Sequence, residues 1–108
     1  MAPPTHHQVT VDCNALRSDA KKWSAAADDI GAAASTAGGL TLGVDKFGAS
    51  DAAQGCQSTY AILQSTLATL LSQGNKELEK VATVLKASAD TYEREDAAGA
   101  HRFEKMGR

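Results

Sequence analysis

The sequence predicts an all-α protein: an antiparallel helix-turn-helix hairpin, about 13–37 and 51–96, pairing with a second hairpin into a four-helix-bundle-like dimer. Three observations predict it. Both prolines, Pro3 and Pro4, stand at the start, and no other follows in the 108 residues. Proline breaks helix interiors, so its absence permits long helices. Two stretches carry apolar or small residues at alternating spacings of four and three, the seam of a helix that packs along another helix. Between them lies "GGLTLGVDKFGAS", whose four glycines interrupt the helical pattern.

Taken in order, residues 1–11, "MAPPTHHQVTV", read as a disordered lead-in. Asp12 is the expected N-cap, because its carboxylate can accept from the free amides that open a helix. Val11 and Leu16 flank it at the spacing of a hydrophobic staple. Leu16, Ala20, Trp23, Ala27, Ile30, Ala34 and Ala37 then step by four and three, and Gly38-Gly39 is the expected left-handed stop. Ser50 caps the second helix, with Asp51 in its first turn. Its seam reads Cys56, Tyr60, Leu63, Leu67, Leu71, Gly74, Leu78, Val81, Leu85, Ser88, Tyr92, with one extra four-residue step before Leu71. After Asp96 the period is lost, so 97–108 read as a flexible tail and 12–96 as the single domain.

A turn centred near Val44 would set Asp12 level with about Lys76. The second helix would then overhang by roughly 20 residues, ~30 Å at 1.5 Å per residue. Leu78, Val81, Val84, Leu85 and Tyr92 would lie on that overhang, uncovered by the first helix. An apolar stripe of that kind marks an interface. The expected interface residues are Trp23, Leu67, Leu71, Leu78, Val81 and Leu85, meeting a second copy or a related hairpin.

Composition narrows the function. Alanine fills 21 of 108 positions and aromatics 5%, so the core is thin. The formal charge is -2 and the pI about 5.8, without the clustered Lys and Arg that nucleic acid needs. No apolar run approaches ~20 residues, and no charged start with an apolar run suggests a signal peptide.

Chemistry-bearing residues do not form a constellation. Cys13 and Cys56 are the two cysteines. The hairpin sets Cys56 level with about Ala32, roughly 28 Å from Cys13, against the ~7 Å that a bridge tolerates. They read as small structural residues. His6, His7 and His101 supply no set of three or four metal ligands. Asp28-Asp29 and Glu93, Glu95, Asp96 read as solvated faces. The glycines match no phosphate loop, since no Gly-Lys-Ser/Thr follows. The expectation is a non-enzyme without cofactor or metal, whose basic tail falls short of a membrane-binding cluster.

"LRSDAKKWSAAADDIGAAASTAGGL", "LGVDKFG" and "ADTYEREDAAG" together resemble the EspC-like branch of the ESX (type VII) secretion-associated proteins of actinobacteria, relatives of the WXG helical hairpins. The resemblance covers residues 9–100. It implies export by a signal-peptide-independent route, to the medium or cell surface after a cytoplasmic stage. Tyr92 and Asp96 match the family's Tyr-x-x-x-Asp/Glu export motif, which implies recognition by a type VII export ATPase. Four residues apart on a helix, they share one face. The turn lacks the Trp-x-Gly of the WXG relatives; Trp23 lies in the first helix instead. Three functions remain open: an exported factor or export partner, a cytosolic adaptor or chaperone that targets an effector to the secretion system, and a membrane-active amphipathic protein.

Overall fold

The computed structural model describes residues 4–106, apart from the side chains of Val44 and Phe103. Residues 1–3 of the expected lead-in and 107–108 of the expected tail lie outside the described residues. Among the described residues the helices are, in order, α1, His6–Gly38; α2, Val44–Phe47; and α3, Asp51–Met106. Among the described residues there is no strand.

α1 begins seven residues before the expected start at 13. The reason is local. Thr5 and Gln8 form a capping box: the Gln8 amide donates to Thr5 Oγ1 (3.1 Å), and Gln8 Oε1 accepts from the Thr5 amide (2.8 Å). Two orphan donors of the first turn are thereby satisfied. Pro4 and Val9 occupy the N′ and N4 positions of that start and line one groove. Asp12, the expected cap, is an exposed residue of the helix interior.

The other end of α1 also departs from expectation. Gly38 is its last residue, but Gly39 is not left-handed; the one described glycine with positive φ is Gly48, at 93°. The helix instead tightens. The Gly39 amide is shared between the Ser35 and Thr36 carbonyls, and the Leu40 amide donates to Ala37 O. Gln64 of α3 then donates through Nε2 to the Ala37 and Gly38 carbonyls at 3.0 and 2.9 Å. The expected cap of α3 is present: the Ala53 amide donates to Ser50 Oγ at 3.1 Å. α3 continues through the expected tail as far as Met106.

The chain divides into two compact units, and α1 and α3 contribute a segment to each. The first unit joins 1–25 with 79–108. Within it the pairs Cys13–Ala89, Arg17–Asp90 and His6–Asp96 place the two segments antiparallel. Cys13 is therefore level with Ala89, not Asp12 with Lys76. The expected overhang is wrong for two reasons. α1 starts earlier, and the connector packs beside the first turns of α3, with Leu42 O accepting from Gln57 and Phe47 against Tyr60, so that Gln64 rather than Asp51 lies level with the end of α1. Cys13, Ala20, Ala82 and Ala89 are the buried apolar residues here.

The second unit spans 26–78. Asn75 Nδ2 donates to Ala27 O at 2.6 Å, and Gln64 reaches Ala37, so these segments are antiparallel as well. Ala27 and Ala37 are buried. Phe47 of α2 stacks obliquely on Tyr60, ring centroids 5.9 Å apart, which ties the connector to α3.

Candidate export signal and apolar surface

The positions that touch the neighbouring helix differ from the expected seam. On α3 the buried and half-buried residues from Gln57 to Ala89 are Gln57, Tyr60, Gln64, Ala68, Leu71, Gly74, Asn75, Leu78, Ala82, Leu85, Ser88 and Ala89. They share Tyr60, Leu71, Gly74, Leu78, Leu85 and Ser88 with expectation. Elsewhere the series is shifted by one residue, from Cys56 to Gln57, Leu63 to Gln64, Leu67 to Ala68 and Val81 to Ala82. On α1 the buried positions are Cys13, Ala20, Ala27 and Ala37, with Leu16, Ile30 and Ala34 half-buried. Small side chains let helix backbones approach, so the alanines take the contact and the larger side chains are left outside.

In the first unit the exposed large apolar residues include Trp23 (42% exposed), Val81, Val84 (62%) and Tyr92 (57%). In the second they include Leu63, Leu67 and Leu70. Of the six expected interface residues, Trp23, Leu67 and Val81 are exposed, while Leu71, Leu78 and Leu85 are half-buried. The stripe expected between Leu78 and Tyr92 is thus open in part, although α1 does reach alongside it. In the second unit Ile30 lies against Gly74, where a Cβ would stand 3.6 Å from Ile30 Cγ2, an ordinary contact. Glycine is not required there for close approach.

Tyr92 and Asp96 lie one turn apart in the first unit and line one groove, of about 480 Å³, with Pro4, Val9, Asp12, Cys13 and Glu95. The two differ in access. Tyr92 is open to solvent, but the Asp96 side chain is only 20% exposed, and its Oδ2 lies 2.5 Å from His6 Nδ1. His6 stands at the first helical position set by the Thr5–Gln8 box. Its role was missed in the sequence, yet the Thr-x-x-Gln spacing that positions it was legible there.

One step further along, Arg17 donates to Asp90 and to both carboxylate oxygens of Glu93, at 2.5–3.0 Å. Hydrogen bonding from Arg17 holds the Glu93 carboxyl below its usual range, and the guanidinium is held yet more firmly protonated. Cys13 lies beneath. Its Sγ donates to Ala89 O at 3.4 Å, and burial, with Glu93 nearby, pushes the thiol up. Cys56 is exposed, and both cysteines are free thiols.

Among the described residues, no three His, Cys, Asp or Glu side chains converge as metal ligands, and no helix is long and apolar enough to cross a membrane. No curated protein and no solved structure matches the chain. A family model does match, over residues 5–105, from the capping Thr5 to the last turn of α3. Its description is "Excreted virulence factor EspC, type VII ESX diderm". The chain belongs to the EspC family of excreted virulence factors, which makes it a type VII (ESX) secretion-related protein.

Proposed function

We infer that this chain is a non-enzymatic helical hairpin carried by the type VII system and acting through helix–helix association. In this reading 12–96 is the associating body. Tyr92 and Asp96 are its export signal, read by the export ATPase after a cytoplasmic stage. Trp23, Leu67, Leu71, Leu78, Val81 and Leu85 contribute to the surface that meets a second copy or a related hairpin.

One observation carries the association: among the described residues the buried ones are alanines and Cys13, while Trp23, Leu63, Leu67, Leu70, Val81 and Val84 are exposed. Exposed apolar patches of this kind are the ordinary mark of a partner surface.

Export from a host with an active type VII system tests the signal. Wild type in the culture filtrate with Tyr92→Ala retained, at equal cellular levels, supports it. Equal export of both removes Tyr92 from the signal. Retention of both favours the alternative of a cytosolic adaptor that delivers an effector to the same machinery.

A further inference from the structure

The groove beside Tyr92 holds three acids, Asp12, Glu95 and Asp96, together with the apolar Pro4 and Val9. One basic side chain bonds into it: the His6 ring on Asp96. Asp96 is consequently the less accessible half of the pair, its side chain 20% exposed against 57% for Tyr92 as a whole. A receptor approaching from solvent meets the phenol ring readily, but meets Asp96 Oδ2 only beside His6. A basic group that takes Oδ2 must displace the His6 ring. The acids around the groove favour a cation in that place, and Tyr92, Pro4 and Val9 favour an apolar neighbour beside it.

We propose that His6 is an internal stand-in for a basic side chain of the export receptor, and that the first turn of α1 must release Asp96 before the signal is read. This rests on the reading of Tyr92 and Asp96 as the signal. The latch is weak by construction. The His6 side chain is 83% exposed, and a pair so open to solvent is held only slightly. The turn that carries it is held by the two capping bonds of Thr5 with Gln8, by the Val9 amide on Thr5 O and by Thr10 Oγ1 on His6 O. A latch of this strength biases the signal and does not lock it.

The test is a His6 series measured by export at equal cellular levels, in the full chain. His6→Ala should raise the export rate by about two- to fivefold, the range of an exposed ion pair. His6→Arg, which can grip the carboxylate with two parallel bonds, should lower it below wild type. Thr5→Ala with Gln8→Ala should act in the direction of His6→Ala, because the frayed turn no longer holds the ring in place. Amide hydrogen exchange of residues 6–9 checks that the first turn is tighter in wild type than in that double variant. If His6→Ala exports at the wild-type rate or more slowly, the latch is overturned and His6 is neutral or supportive. Asp96→Asn separates the two layers. Lost export in Asp96→Asn beside a flat His6 series retains the signal and removes the latch. Wild-type export of Asp96→Asn removes the carboxylate from the signal, and the latch with it. A gain from His6→Ala that persists in the Asp96→Asn background also overturns it.

Discussion

Cys13 and Cys56 show how placement alone separates two identical side chains. Cys13 is fully buried between helices, bonded to the Ala89 carbonyl, with its thiol pushed up by burial. Cys56 faces solvent. The thiolate is the reactive form, so Cys56 should be alkylated by iodoacetamide much faster than Cys13 in the native protein, the two converging in denaturant. Peptide mass spectrometry over a time course reads this; equal native rates would mean that the first unit opens freely. Gly74 is a second case. A glycine inside a helix costs roughly 1 kcal/mol against alanine. Its added Cβ would meet Ile30 at ordinary contact distance. Gly74→Ala should therefore stabilise the protein by about 0.5–1 kcal/mol, seen as a raised urea midpoint. Gly31 is the contrast, because a Cβ there would stand 3.0 Å from Asn75 Nδ2, and Asn75 would have to yield.

At the scale of the element, α1 owes its reach to four residues, Thr5 to Gln8. The capping box moves the helix start upstream of Asp12, and that extension brings His6 to Asp96 within the first unit. Arg17 then ties α1 to α3 through Asp90 and Glu93. The Glu93 carboxyl titrates below its unfolded value because Arg17 bonds to its charged form. A lowered folded pKa contributes stability above the unfolded value, near 4.3 for Glu, and that stability fades as pH falls through the folded value. Arg17→Ala should accordingly lower the melting temperature at pH 7, with the difference from wild type shrinking toward pH 3. Paired melts by circular dichroism at the two values measure it. A difference that grows in acid would assign Arg17 a packing role instead. The effect is small, since both side chains are partly solvated.

At the scale of the whole molecule, alanines supply the contact and larger apolar side chains face outward. Alanine burial contributes little, as hydrophobic stabilisation follows apolar area. Stability is then expected to depend on association. Wild type should be dimeric by light scattering at about 50 μM if the affinity is near 1 μM, some -8 kcal/mol. Val84→Asp and Leu67→Asp alter exposed positions, so each should lower the mass toward a monomer while leaving helix content largely intact. Leu85→Asp is a harsher change. Leu85 is half-buried, and its substitution should cost helix content as well as association. A wild-type monomer would discard the homodimer and direct attention to a related hairpin as partner.

Much of this was legible in the sequence. The absence of proline after Pro4, the alternating four-three spacing and the Ser50 cap gave two long helices and the break between them. "LRSDAKKWSAAADDIGAAASTAGGL", "LGVDKFG" and "ADTYEREDAAG" together pointed to the family, which the match over 5–105 bears out. The start of α1 was legible too, in Thr-x-x-Gln, but Asp12 competed for the same role and a cap is a local choice between close alternatives. Tertiary structure decided the remainder. Heptad spacing identifies an apolar face but not which edge of it meets the neighbouring helix; backbone approach selected Ala68 and Ala82 over Leu67 and Val81. Register followed from how the connector packs beside the first turns of α3, which its glycines leave open. The pairing of His6 with Asp96, 90 residues apart in the chain, follows from that register, and no local pattern in the sequence encodes it.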